Sequence, residues 1–213
     1  MSVDEEGARP GRPAGRPSTA AAGQLEEDLL DAALGVFLAG GFQAASMEAI
    51  ARAAGVTKRT LYRRAPDKQA LFREVVGRHA QRAGAPALRR IQGETLEERL
   101  KVASDVMLAW FLQPASLALY RTIIAEAGRH PDLGRLAEAP FREAAEAIAA
   151  ILADGDARSP EQVELGAQLF LRLITAEPLD KAIQAIEPPG TSPEKRARAH
   201  AAVDFFLVGW RNW

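Results

Sequence analysis

Twelve residues, SMEAIARAAGVT from Ser46 to Thr57, dictate the local fold more tightly than any other part of the chain. Ser46 is a good helix N-cap, and Met47, Ile50 and Ala54 follow at spacings of three and four that place them on one helical face. A helix from about Met47 to Ala53 is predicted. Gly55 stands where the chain must leave that helix, and the left-handed C-terminal conformation costs glycine almost nothing. Thr57 can then cap another helix only a few residues after the last one ends. Val56 and Leu61 turn inward to join Ile50, Leu34 and Phe37 in a small core, which sets the two helices at a steep angle.

The exposed remainder of that next helix is Lys58, Arg59, Thr60, Tyr62, Arg63 and Arg64. From Ile50 to Pro66 there are five basic residues, with Arg52 the fifth, and no acidic one. A charge run alone reads as a solvated helix face. Here it coincides with a cap, a glycine turn, inward Val and Leu, and a following Pro66-Asp67-Lys68 that opens another helix. Together these form a helix-turn-helix, whose second helix enters a DNA major groove. Its cations favour phosphates, and Arg or Lys at its N-terminal end reaches guanine edges.

AIARAAGVTKRTLYRRAPDKQALF, residues 49–72, resembles the N-terminal domain of the TetR family of transcriptional regulators. The likeness extends from Gln24 to Val76 and includes the turn and both flanks. It implies that Lys58, Arg59 and Thr60 face base edges. It also implies that Tyr62, Arg63 and Lys68 hold phosphates, together with Ser46, Thr57 and the amides of their helix starts. The family usually carries an aromatic residue before the proline, where this chain has Ala65. The lost apolar area is worth about 2 kcal/mol unless Phe72 or the stems of Arg64 and Arg73 fill the space.

With 213 residues and 47% hydrophobic content, the chain has ample material for a core and for one or two domains. It has no cysteine, which excludes a disulfide scaffold and thiolate chemistry. No apolar run approaches a membrane span, and MSVDEEGARPGRP offers no apolar segment for a signal peptide, so a soluble cytoplasmic protein is expected. The net charge of −1 divides unevenly. Residues 7–82 hold twelve Lys and Arg against seven Asp and Glu, whereas residues 83–213 hold fifteen against eighteen. The positive field belongs to one end.

Residues 1–23 form a segment of their own, in which ARPGRPAGRPS repeats Gly-Arg-Pro. Its composition predicts a flexible basic arm. It is either a plain tail or an extended strip whose Arg12 and Arg16 lie in a narrow minor groove.

Everything beyond Lys68 reads as helix. Thr95-Leu-Glu-Glu98 and Ser159-Pro-Glu-Gln162 are capping boxes. Pro140 predicts a kink or break in a helix from Asp132 to Ala153, and Pro178 predicts the end of the helix that Ser159 opens. No strand-like alternation occurs, so the predicted fold is all-α with about nine or ten helices. A helix-turn-helix domain at 24–83 precedes a helical domain at 84–213. Leu119 to Phe141 is similar to the C-terminal domain of the AefR-like branch of the same family, with His130 where that branch usually has Phe.

The resemblance implies that the last two helices build a homodimer and that the middle helices enclose a small-molecule pocket. Leu169 and Leu173 on one helix, with Val203, Phe206, Leu207 and Trp210 on the other, offer more apolar surface than one amphipathic stripe needs. Either they fill a monomer core or they meet a two-fold mate. Met107, Trp110, Phe111, Tyr120, Ile124 and Phe141 are the pocket candidates. They are ordinary core or the lining of an apolar cavity, with Tyr120 and Gln113 to orient a guest.

Enzyme chemistry finds no footing. His79, His130 and His200 lack metal-ligand spacing, no phosphate-binding glycine loop occurs, and a Glu126–His130 pair one turn apart reads as a surface contact. No cofactor and no metal are expected. The partners expected are double-stranded DNA with a palindromic operator, a second copy of the chain, and an unknown small, mainly apolar effector; no membrane is expected. The sequence thus points to a ligand-responsive DNA-binding repressor. The alternative is an all-helical ligand-binding or protein-interaction dimer whose head has lost specific DNA reading, Ala65 being the cue.

Overall fold

The computed structural model describes residues 19–213, so Arg12 and Arg16 lie outside the described residues. Ten helices follow in order: α1 (Thr19–Ala44), α2 (Met47–Ala53), α3 (Lys58–Arg64), α4 (Lys68–Ala83), α5 (Ala85–Leu88), α6 (Leu96–Phe111), α7 (Pro114–Ala127), α8 (Pro131–Ala153), α9 (Pro160–Ile183) and α10 (Pro193–Arg211). No strand occurs among the described residues. α1 is kinked at Gly41, where φ is 69°.

The caps of the first helices are the ones the sequence calls for. Ser46 Oγ accepts from the Ala49 amide at 3.1 Å, Thr57 Oγ1 from the Thr60 amide at 3.1 Å, and Asp67 from the Ala70 amide at 2.7 Å. Gly55 makes the turn at φ 65°. Inside the head, Phe37, Phe42 and Phe72 form an aromatic triad with centroids 4.9–6.2 Å apart. Phe72 is fully buried and Ala65 only 2% exposed, so the small residue before Pro66 is sealed under its neighbours. A recess of about 360 Å3 remains outside the junction, lined by Arg64, Pro66 and Arg73 among others.

Neither Pro140 nor Pro178 ends its helix, which for Pro178 is contrary to expectation. α8 runs unbroken through Pro140, and α9 continues through Pro178 to Ile183. A proline removes one helical hydrogen bond and crowds the carbonyl four residues back. In α9 that cost is offset beyond the proline, where Leu179 and Ala182 are buried in the core. Arg121 on α7 also donates to the carbonyls of Ala182 and Ile183, which satisfies the late end of the helix.

The C-terminal helices pack as layers. α8 lies along α9 and α7, while α10 lies against α6 and α9. Both predicted capping boxes are present, at Thr95 with Glu98 and at Ser159 with Gln162. The head is not a closed unit, because its apolar cluster continues onto Leu119, Ile123, Leu133 and Ala137 of α7 and α8.

Candidate DNA-binding head and internal cavity

α3 presents a polar outer face because its single buried residue, Leu61, holds the other side against the head core. Lys58, Arg59, Tyr62 and Arg63 are all exposed. Lys58 pairs with Glu48 of α2 at 2.6 Å, which holds the Glu48 carboxyl below its usual range. Thr57 and Thr60 share a hydroxyl hydrogen bond of 2.9 Å. Ser46 and Thr57 each use a lone pair to cap a helix, and the Ser46 hydroxyl proton is left to donate elsewhere.

Three basic side chains that look equivalent in the sequence do different things. Arg63 faces solvent. Arg64 is drawn back onto Glu26 of α1 and Glu74 of α4. Lys68 corrects the phosphate role expected of it: its ammonium donates to the carbonyls of Phe42, Gln43 and Ala45 at 2.6–3.2 Å and sits 4.5 Å over the Phe42 ring. Those carbonyls end α1, where the helix leaves acceptors unsatisfied, so a cation there braces the fold.

α4 joins the head to the rest of the molecule. Arg78 and Arg82 pair with Glu27 and Asp31 of α1, fixing α4 to the head. Gln69 and Arg73 both donate to Asp132 in the first turn of α8, each at 2.7 Å, and Arg73 holds the Asp132 carboxyl below its usual range. Glu126 of α7 is 5% exposed and accepts from Gln43 of α1 at 2.6 Å. It is therefore an interdomain acceptor, not the surface partner of His130, whose ring packs edge-on to Phe42.

Further along α4, Val76, His79 and Ala80 form one wall of a cavity of about 40 Å3. Trp110, Phe111, Tyr120 and Phe141 line it, as four of the six expected residues. Trp110, Phe111 and Phe141 stack in a row with centroids 4.8 and 4.7 Å apart. Gly84 makes the stack possible, since a Cβ there would fall 1.9 Å from the Trp110 indole. Met107 is instead fully buried packing outside the lining, and Ile124, 52% exposed, faces the outer surface. The cause is helix phase: Ile123, about 100° round α7 from Ile124, is the residue that reaches the cavity. Gln113 does not line it either.

Sequence reasoning overlooked the cavity's polar pair. His79 Nε2 and Ser116 Oγ share a hydrogen bond of 2.9 Å across α4 and α7. Burial pushes the His79 pKa below its ordinary 6.5 and the Tyr120 phenol above its ordinary 10.0. The 3.6-residue spacing that puts His79 in line with Val75, Val76 and Phe72 was a signal available in the sequence.

On the outer side, the expected dimer residues divide. Val203, Leu207 and Trp210 are buried within the protomer, and Phe206 is half-buried between Phe170 and Trp210. Val203, Leu207 and Trp210 belong to the protomer's own core, contrary to expectation, because α10 must bury that stripe against α6 and α9, while Phe206 also borders the outer recess beside Leu169 and Leu173. Leu169 and Leu173 do face outward, joined by Leu165, Phe205, Val208 and Trp213. Phe205 is 74% exposed, which is unusual for so large an apolar side chain beside others of its kind.

No single helix among the described residues is long and apolar enough to cross a membrane. No group of three or more potential metal-ligating side chains occurs among them either.

A capped helix-turn-helix carrying a basic outer face, set on a helical body with a lined cavity, defines an all-helical DNA-binding regulator. Residues 29–75 match the model of bacterial regulatory proteins of the tetR family, and residues 98–212 match that of the AefR-like transcriptional repressor C-terminal domain. The chain belongs to the TetR family of transcriptional regulators. Members of this family bind DNA, are not enzymes, and usually act as dimers with small-molecule effectors.

Solved structures agree. A protein of Mesorhizobium loti MAFF303099, described as a TetR-family transcriptional regulator, is 26% identical, with 88% of this chain and 97% of that one covered and a TM-score of 0.74. The flavonoid-responsive regulator FrrA is 28% identical over 88% of this chain and 97% of its own, with a TM-score of 0.68. A TetR transcriptional regulator from Agrobacterium tumefaciens is 25% identical over 86% and 93%, with a TM-score of 0.69. No match to a curated protein was found.

Proposed function

We propose that this protein is a homodimeric, sequence-specific repressor that a small, mainly apolar effector releases from its operator. Residues 24–83 act as the DNA-reading head and residues 84–213 as the effector and dimer domain. Lys58, Arg59 and Thr60 read base edges, while Ser46, Thr57, Tyr62 and Arg63 hold phosphates. Two copies meet through the outward face of α9 and α10, centred on Leu169, Leu173 and Phe205, and so present two heads to a palindrome.

One observation carries the effector reading: α4 is tied to the head by Arg78 and Arg82 and forms a wall of the cavity through Val76, His79 and Ala80. A cavity of about 40 Å3 has room for a water-sized guest, whereas ligand pockets hold several hundred. An effector must therefore spread the walls, and α4 is the wall that carries the head. If the spread dimer spaces its recognition helices wrongly for successive major grooves, effector and operator oppose each other through the same coupling energy. The flavonoid-responsive character of FrrA accords with an effector-controlled relative.

Selection of genomic fragments by the purified protein tests this reading. A palindromic site bound in a salt-dependent way, and bound less tightly when an apolar ligand raises the melting temperature, is the expected result. Equal affinity for selected and random DNA would return the protein to the alternative of a helical dimer with a degenerate head.

A further inference from the structure

Two spaces in the C-terminal half share one wall. On one side is the small cavity, lined largely by buried residues. On the other, α7, α8 and α9 border an outer groove of about 1050 Å3, with Ile124 exposed on the α7 side and Leu169, which belongs to the dimer face proposed above, on the α9 side. Tyr120, Ala137 and Phe141 line both. Ala137 contributes only a methyl group, so the rings of Phe141 and Tyr120, packed edge-on, are the bulk of the partition, with Phe141 also stacked on Phe111.

We infer that Phe141 is a gate, that the groove is the effector's entrance, and that the joined site takes a flat, uncharged aromatic molecule bearing hydroxyl groups. The inference rests on the cavity being the effector site. Flatness follows from the near-parallel faces of Trp110, Phe111 and Phe141, inclined by only 21° and 15°: a planar guest that replaces the Phe141 ring continues the stack. Arg172 stands 5.0 Å over Phe141 and has no carboxylate partner among the described residues, so it attracts whichever aromatic face lies beneath it. Charge argues against an acid, because the groove holds Glu138, Glu146 and Glu164 against Arg142 and Arg172, and Arg142 already lies 3.8 Å from Glu146. Hydroxyls on the guest meet the His79–Ser116 pair at the inner end and the Tyr120 hydroxyl, which has no hydrogen-bond partner among the described residues. An alkyl chain would fill the same space and serve none of these groups.

The test uses the full-length protein without DNA and four probes: 2-naphthol, naphthalene, 2-naphthoate and decanoate. Thermal shift and stopped-flow tryptophan fluorescence read affinity and association rate. 2-Naphthol is expected to bind most tightly. Phe141→Leu should speed its association several-fold. Ala145→Phe, which narrows the groove from outside, should slow it. Arg172→Gln, at the surface, should weaken it several-fold without moving the melting temperature of the free protein. Tighter binding of decanoate or naphthoate would overturn the ligand class. Should Phe141→Leu not fold, an unchanged rate in Ala145→Phe overturns the entrance, and an unchanged affinity in Arg172→Gln overturns the stacking site. Absence of naphthol binding overturns the whole inference. Gated naphthol binding with unaltered operator affinity would leave the site standing and sink the effector reading instead.

Discussion

The head and the C-terminal domain solve opposite problems with the same kind of helix. In the head, α2 and α3 are short and α1 is kinked, and three phenylalanines, three caps and a buried-side ammonium are spent on holding one rigid shape. Its polar groups are largely paired with each other, leaving a chosen few on α3 for a partner. In the C-terminal domain the helices are long and the core is large, yet apolar surface is left over, both outside on α9 and α10 and inside beside Trp110 and Phe141. A structure that reads DNA must not deform; one that answers a ligand must retain room to do so.

Five measurements would break or sharpen this contrast. Phe72→Ala removes the centre of the head triad and should cost about 3–5 kcal/mol in chemical denaturation, abolishing DNA binding with it. A loss below about 1 kcal/mol would mean the head is not the rigid half. Phe205→Glu should instead leave the protomer folded and give monomers by sedimentation, because a charge placed in a dry interface costs about 3 kcal/mol or more. Val203→Glu, in the core of the same helix, should unfold the chain; similar behaviour of the two variants would erase the distinction between inner and outer faces of α10.

Lys68→Met strips the charge from three carbonyls and should lower stability by about 2–3 kcal/mol. A normal melting temperature combined with a shallower salt dependence of DNA binding would restore its phosphate role. Arg59→Ala should cost about 1–3 kcal/mol on the preferred operator and relax sequence choice, with melting unchanged. Equal loss on random DNA would make Arg59 a phosphate contact. The smallest effect belongs to His79. The unfolded chain takes up a proton near pH 6.5 that the buried imidazole resists, so stability is full above that value and declines as pH falls below it. His79→Gln should flatten that part of the pH profile; an identical slope would show that other groups carry it.

How far the sequence could be read follows the same division. Ser46, Gly55, Thr57 and Asp67 act through neighbours within four residues, so their spacing alone declares the helix-turn-helix. The capping boxes at Thr95 and Ser159 were legible for that reason too. Lys68 misled because its motif position is shared with the family, while its partners at Phe42, Gln43 and Ala45 are brought to it only by the packing of α1 on α4. In the C-terminal half, Trp110, Phe111, Tyr120, Phe141, Leu169 and Leu173 lie where expected, whereas other apolar residues were assigned to the wrong surfaces. Val203, Leu207 and Trp210 turned inward, Ile124 turned outward, and Met107 became close packing.

The sequence by itself determined where helices start, the helix-turn-helix, the all-helical class and the family, because caps, turns and three- and four-residue periodicity are local interactions written in nearby residues. Only the tertiary structure decided which cations are free, which aromatic rings border a cavity, and which face of α10 stays exposed. On a helix with apolar residues all round, a rotation of 100° per residue separates core from surface, and nothing within the helix says which direction its neighbours will come from.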